Sequence, residues 1–374
     1  MSIYLDYNAT APVRPEAIAA VAEALQAGGN PSSVHAAGRA ARARVESGRA
    51  DVAALVGSTG ASLTFVSGGA EANALAMHSA IAAGATRQII GATEHDTVAE
   101  TAAASALPTL NWPVDARGVA DLDWLEAQLA LGGAALVCLM LANNETGVIQ
   151  PVAEAAAMVR SAGGWLHVDA VQAAGKIAID LPALGADSLA LSGHKLGGPQ
   201  GVGALIASPH RKITARQLGG GQERGLRAGT ENGPGIAGFA AAARAALAEL
   251  SSLAAQSAWR DEAETRFVAA GAVALGSGAP RLPQTLCVAT AGFPSDLQVI
   301  ALDLAGVMVS AGAACSSGKV KASRVVEAMG RTDLAPFGLR LSGGWASTRQ
   351  DWRACADAWS ANLARRAARQ LQFA

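Results

Sequence analysis

Six places along the chain combine residue types and spacings that could do chemistry. In LSGHKLGGP (191–199), Lys195 stands between Gly193 and Gly197, next to Ser192 and His194, instead of on a charged helical face. A lysine in a cleft can lose its proton by desolvation and condense with a carbonyl compound; a lysine whose stem runs along the surface to water is the ordinary alternative. Three polar side chains grouped where glycine lets the backbone approach something closely favour the cleft. In LHVDA (166–170), Asp169 ends an apolar run and Gln172 follows three residues later. A carboxylate there can pair with the protonated nitrogen of a flat cofactor ring, or can cap a helix. ATEHDT (92–97) sets His95 after another apolar run, where an imidazole can stack on a ring, shuttle a proton, or be a satisfied structural residue.

SGGAEAN (67–73) runs from an apolar segment through two glycines into helical sequence. The free N–H groups and dipole of a helix start can hold a phosphate, although glycine is also the ordinary means of a tight turn. Cys315, in VSAGAACSSGK (309–319), lies among small residues that allow motion, so its thiol can reach the thiolate form and meet a substrate. Cys138, in LVCLM, reads instead as a small buried hydrophobe. Arg340, in FGLRLSGG (337–344), could grip a carboxylate through two parallel hydrogen bonds or form an interdomain ion pair.

These residues need elements to position them. Short runs of Val, Leu and Ile alternate with Ala-rich helical stretches between about 60 and 210, the pattern of a mostly parallel sheet covered by helices, an α/β class. Strands are predicted at 63–66, 88–91, 135–140, 165–169, 188–192 and 203–207, and helices at 69–81, 97–107, 122–129 and 152–162. A Gly-rich stretch (218–235) leads to a predicted long helix over 236–270, read as the bridge to a smaller α+β domain. Ligands in open α/β sheets bind beyond the carboxyl ends of strands, which is where Asp169, Lys195 and His95 fall.

The bulk numbers agree with a compact two-domain chain. Its 374 residues exceed one ordinary domain, and 51% hydrophobic against 16% charged residues excludes a disordered or fibrous protein. A net charge of -1 gives no field for nucleic acid or an anionic membrane, so a small-molecule substrate is expected. The four cysteines are scattered, with no C-x-x-C pair, which points to a reducing compartment and no disulfide framework or zinc knuckle. Neither a basic-then-apolar leader nor an unbroken apolar span of membrane length is present, so a cytoplasmic location is expected.

Taken in order, the motifs resemble the cysteine desulfurases of the class V aminotransferase family, fold-type I pyridoxal-phosphate enzymes. The segments that carry the resemblance are YLDYNATAPVRP, GNPSSVHAAGR, FVSGGAEAN, TEHDTV, NNETGVIQP, HVDAVQAAGKIAIDL, SGHKLGGPQGVGAL, GGGQERGLRAGTEN, SAGAACSSGK and LRLSGG, which together span almost the whole chain. The resemblance implies a large cofactor-binding domain over 16–250, with 1–15 and 251–374 forming a small domain that carries the Cys315 loop. It implies that Lys195 carries pyridoxal 5'-phosphate, Asp169 pairs with the ring nitrogen, Gln172 contacts the phenolic oxygen and His95 stacks on the ring. Gly69, Ala70, Ser192 and His194 fall where the family holds the phosphate, and Asn144 where it contacts the ring or substrate. Thr230 resembles a threonine that reaches the phosphate of a neighbouring subunit, which implies a homodimer with shared sites.

The implied reaction takes sulfur from L-cysteine onto Cys315 as a persulfide, with Arg340 on the substrate carboxylate, and passes it to an acceptor such as an iron-sulfur scaffold protein. Three positions depart from the family pattern: Ala70 where a threonine is usual, Ala74 where a second asparagine is usual, and Trp345 where an arginine often stands. The missing hydroxyl at Ala70 removes one hydrogen bond to a phosphate, about 1.5 to 3 kcal/mol, which weakens cofactor binding without abolishing it. Two rivals stay open at the level of sequence. A selenocysteine lyase or aminotransferase would differ in substrate turnover, and a silent homologue would turn over no amino acid.

Overall fold

The computed structural model describes residues 2–312 and 322–372. The first half runs β1 (Ile3–Tyr4), α1 (Pro15–Ala27), α2 (Ala36–Ala54), β2 (Leu63–Val66), α3 (Gly69–Ala82), β3 (Arg87–Gly91), α4 (Asp96–Ala103), β4 (Thr109–Trp112), α5 (Leu122–Ala130) and β5 (Ala135–Cys138). Then come α6 (Val152–Ser161), β6 (Trp165–Asp169), α7 (Leu181–Leu184), β7 (Ser188–Ser192), β8 (Gly203–Ala207), α8 (Gly233–Ala248), α9 (Leu250–Ala254) and α10 (Gln256–Ala269). The last third holds β9 (Val273–Leu275), β10 (Thr285–Ala289), α11 (Ser295–Asp303), β11 (Val307–Met308), β12 (Ser310–Ala311), α12 (Arg324–Ala328), β13 (Gly338–Ser342) and α13 (Arg349–Gln372).

Seven strands form the main sheet in the order β2-β8-β7-β6-β5-β3-β4. Every pair from β7 to β4 is parallel, while β8 runs antiparallel to both β7 and β2. Two reversals leave β2 pointing the same way as β7, so the carboxyl ends of β2, β3, β5, β6 and β7 share one edge. A four-stranded antiparallel sheet, β12-β13-β10-β9, stands apart from it, and β1 pairs in parallel with β11 beside that second sheet.

Strand alternation divides the interior of the main sheet between two apolar clusters. On β5, Val137 packs into the cluster with α2, α6 and α8, while Leu136 and Cys138 face the cluster with α3 and α4; on β7, Leu189 and Leu191 oppose Ala190 in the same way. The period of two has a consequence on β6. Leu166 and Val168 enter the first cluster, so Trp165, His167 and Asp169 share the face toward α3.

The second sheet has its own interior, in which Leu286, Val288, Leu339 and Leu341 meet Phe267 of α10 and Trp359 of α13. The Phe267 and Trp359 rings lie 4.7 Å apart. The N-terminal segment joins this interior through Leu5 and then crosses to the main sheet, where Ala11 N–H donates to the His194 carbonyl.

Five of the six predicted strands lie within one residue of their observed ends, and the sixth, 135–140, stops at Cys138. The predicted helix 236–270 is corrected: it is three helices, α8, α9 and α10, and the chain bends by 63° between α8 and the rest. The two halves serve different interiors. Ile236, Phe239 and Ala240 of α8 pack under the main sheet, whereas Phe267 of α10 packs under the second sheet, so a straight rod would strand one of them in water. No single helix among the described residues is long and apolar enough to cross a membrane.

Candidate active site

The shared strand edge opens into a cleft of about 450 Å³ lined by Ser67–Ala70 after β2, His95 after β3, Asn144 after β5, Asp169 and Gln172 from β6, and Ser192, His194 and Lys195 from β7. Nine of the sequence-derived candidates thus come from five strand ends into one space, Gly69 and Ala70 among them at the start of α3. Cys315 lies outside the described residues, as does the rest of 313–321.

Lys195 closes a 3-10 turn, Gly193–Lys195, directly after β7. Its Nζ donates to the carbonyls of Asn8 at 2.6 Å and Ala9 at 2.9 Å, so the N-terminal segment forms the wall behind it. Burial, followed by the positive charge of Arg340, lowers its pKa to about 8, while Asp169 and Asp6 pull the other way. At neutral pH an appreciable fraction is therefore free amine. His194, on the same turn, is lowered to about 4 by burial and by the charges of Lys195 and Lys176, so it is neutral; its Nδ1 meets Thr10 Oγ1 at 3.1 Å.

Asp169 is buried, and both its oxygens are held. Oδ1 accepts the Val171 N–H at 2.9 Å, and Oδ2 accepts Asn73 Nδ2 at 2.8 Å. Asn73 was not among the candidates read from sequence, yet it is the hub of this face. Its second N–H goes to Thr97 Oγ1 at 3.0 Å, and its Oδ1 meets His167 Nε2 at 3.0 Å. His167 is neutral, its pKa brought down to about 4 by burial, so the ring donates from Nε2 to Asn73 and accepts at Nδ1 from Ser188 Oγ at 2.9 Å. Trp165 Nε1 completes the row by donating to Ser188 Oγ at 2.9 Å. The row explains how an aspartate and a histidine on β6 and a serine on β7 fit strands buried on both faces: each polar side chain has a partner.

His95 is the N-cap of α4, its Nδ1 accepting the Thr97 N–H at 3.1 Å and lying 3.0 Å from Thr97 Oγ1. With Nδ1 used as an acceptor, the ring N–H is the one at Nε2. Glu94, the preceding residue, is buried, and burial together with the charge of Asp169 pushes its carboxyl well above the usual range.

The helix start after β2 has the form of an anion cradle. Ser67, Gly68, Gly69 and Ala70 line the cleft at the N-terminus of the 14-residue α3. A Cβ on Gly69 would come within 2.8 Å of Val171 Cγ2, so glycine there is a packing requirement. Glu71 takes the Ser67 N–H at 2.7 Å, and Arg227 covers its carboxylate at 2.9 Å.

Arg340 stands otherwise than a free carboxylate clamp would. Its guanidinium is buried, donating to Asp6 Oδ1 at 2.7 Å and to the Asn144 carbonyl at 3.3 Å. It is not among the residues lining the cleft. Thr230 is exposed and does not line the cleft of its own chain either. Of the departures from the family pattern, Ala70 faces the cleft, whereas Ala74 lies outside it beside Arg216 and Arg227. Trp345 donates its Nε1 to the Pro12 carbonyl at 3.0 Å, and the Arg14 guanidinium lies 5.3 Å from its ring centre. The neighbouring Gly344 admits no side chain, because a Cβ there would fall inside the Tyr7 ring.

Comparison with known proteins gives a consistent family. The model of the family described as Aminotransferase class-V matches residues 3–351. A cysteine desulfurase of Cereibacter sphaeroides is 41% identical over 337 residues, 87% of this chain and 86% of that one. The solved structure of a NifS-like protein from Rickettsia africae superposes with a TM-score of 0.89 at 32% identity, covering 96% of this chain and 98% of that one. A structure described as SspA in complex with cysteine superposes with a TM-score of 0.79 at 25% identity, covering 91% and 98%.

Proposed function

The chain belongs to the class-V aminotransferase family, and on that premise we propose that it is a cysteine desulfurase, converting L-cysteine to L-alanine and carrying the sulfur as a persulfide on Cys315. The observation that carries this reading is the meeting, at one strand edge, of a lysine with a lowered pKa and a buried, fully held carboxylate, beside a histidine with a defined proton position.

The donor set fits pyridoxal 5'-phosphate. The N-terminus of α3 and Ser192 suit its phosphate, His95 its ring face, Asp169 its ring nitrogen, Gln172 its phenolic oxygen and Lys195 its aldehyde. When bound, pyridoxal phosphate supplies an electron sink for the carbanion left at Cα of an amino acid. The chain does the rest. Lys195, as free amine, would take the α-proton at Nζ; Asp169, its oxygens oriented by Asn73 and Val171, would face a protonated ring nitrogen as its counter-charge. The Cys315 thiolate attacks the substrate sulfur, the new S–S bond forms as the Cβ–S bond breaks, and alanine results when Cβ gains a proton and Lys195 returns one to Cα. Arg340 meets a substrate carboxylate only by exchanging Asp6 for it.

An acceptor protein, such as an iron-sulfur scaffold, then takes the sulfur. A homodimer that lends Thr230 to the neighbouring site and a cytoplasmic location complete the reading. Cys138, Cys287 and Cys355 are all buried free thiols, and burial raises the pKa of each, so they are poor competitors for the nucleophile.

The test is mass spectrometry of the intact protein and its peptides after incubation with L-cysteine in the absence of reductant. One added sulfur on Cys315, with alanine in solution, is expected. Cys315→Ser should keep the cofactor's colour and gain no sulfur, and Lys195→Ala should lose both colour and turnover. A coloured wild-type protein that gains no sulfur and releases no alanine would overturn the reading.

A further inference from the structure

Lys176 is a buried amine that the reaction above does not use. It follows β6 in the turn beyond Gln172, is 6% exposed, and the charged groups acting on it, Lys195 and Arg340, are both cations. Burial, with those two charges, holds its pKa well below the usual lysine range. An amine in such a place is costly unless its N–H groups are satisfied. They are: Nζ donates to Gln172 Oε1 at 2.7 Å and to Asn8 Oδ1 at 3.1 Å.

Those two bonds decide which way two amides face. Gln172 Nε2 donates to the Asn8 main-chain carbonyl at 2.9 Å, a group that only accepts, so the oxygen end of Gln172 is the end toward Lys176. The same carbonyl accepts from Lys195 Nζ at 2.6 Å. At Asn8, Nδ2 donates to Thr285 Oγ1 at 3.0 Å and the Asn144 carbonyl at 3.1 Å, which again leaves the oxygen for Lys176. Gln172 lines the cleft, and its amide nitrogen has a second hydrogen to give.

We propose that Lys176 is a positioning residue: its hydrogen bonds to Gln172 and Asn8 hold the Gln172 amide with its N–H end toward the cleft, beside Lys195, where a pyridoxal ring presents its phenolic oxygen. This rests on the cofactor reading above. Without the amine, Gln172 Oε1 and Asn8 Oδ1 both lose their donor inside a buried site, and the Gln172 amide is held only by its one bond to the Asn8 carbonyl, so its N–H end is less firmly directed at the cleft. A phenolate that faces an oxygen instead of an N–H is a stronger base.

The experiment is a pH titration of the visible absorption of the pyridoxal-phosphate-loaded protein. Loss of a donor to the phenolate raises the midpoint of the colour change, by about one unit for Lys176→Met. Lys176→Arg, which keeps N–H donors, should return most of that shift. Should the methionine variant not fold, the smaller Lys176→Ala, which likewise has no donor, is expected to shift the midpoint in the same direction. Removing a cation would also raise the midpoint, so the decisive comparison is a double-mutant cycle: in a Gln172→Leu background, Lys176→Met should move nothing further. Lys195, Arg340, Asp169, Asp6 and His194 also face this corner, and they are common to every arm of the cycle. An equal shift in both backgrounds, or no shift in the single variant, overturns the proposal. A wild-type protein that takes up no pyridoxal phosphate removes the cofactor reading and this inference together; normal colour with an unmoved midpoint removes this inference alone.

Discussion

Lys195 shows how little of a catalytic lysine is in its own side chain. Its pKa of about 8 comes from burial and from Arg340, which belongs to the second sheet and is itself fixed by Asp6 of the N-terminal segment. The sign of the consequence follows from linkage. The folded value lies below the 10.5 of a free lysine, so between about pH 8 and 10.5 the unfolded chain holds a proton that the native protein has released, and stability rises with pH across that window. The same shift sets reactivity. Uptake of pyridoxal phosphate by the cofactor-free protein should rise with pH to a midpoint near 8, measured as the growth rate of the visible band; a midpoint near 10.5 would show an ordinary solvated lysine. The lysine, the aspartate and the histidine were legible in the sequence because each follows an apolar run. Asn73 and Lys176 were not, since a buried Asn on an Ala-rich helix and a Lys beyond a strand look like any others until the atoms they touch are known.

At the scale of elements, β4 and the helix after 233 show where periodicity fails. β4, with the sequence TLNW, is an edge strand of which Trp112 alone is buried, so it carries no apolar run to detect. The 233–269 stretch reads as one helical run, and its break at Glu249 follows from which interior each half must cover. The Gly-rich segment has its own anchor. Glu223 and Arg224 sit at φ 46° and 58°, in the left-handed region that costs non-glycine residues energy, and the buried Glu223 carboxylate binds Arg49 at 2.6 Å and the Phe65 N–H at 2.8 Å. Replacing Glu223 by Gln leaves the buried Arg49 with only the half-exposed Glu46 carboxylate as its counter-charge, at a cost of about 1 to 3 kcal/mol. Urea unfolding should show a lower midpoint with an unchanged slope; an unchanged midpoint would mean that the pair anchors nothing.

For the whole molecule, the cleft is assembled from parts far apart in the chain: Asn8 and Ala9 from the start, five strand ends from the main sheet, and Arg340 from the second sheet acting from behind. Thr230, exposed and outside its own chain's cleft, leaves room for a partner copy. If it serves the neighbouring site, inactive Lys195→Ala and impaired Thr230→Ala proteins, unfolded and refolded together, should regain activity, because one site of each mixed dimer has both residues. Activity no higher than that of the two separate proteins, or a monomer in sedimentation, would count against a shared site.

The sequence by itself determined the α/β class, the positions along the chain of six of the seven main strands and the type of chemistry, because the alternation of apolar runs and the residues just after them are local patterns. Tertiary structure alone decided how those residues are charged and oriented. The neutral state of His167 and His194, the lowered pKa of Lys195, the occupied guanidinium of Arg340 and the amide direction of Gln172 depend on burial and on partners that are distant in sequence, as from Asn8 to Lys176 or Asp6 to Arg340. Desolvation and hydrogen-bond geometry act through space, and a linear pattern carries neither.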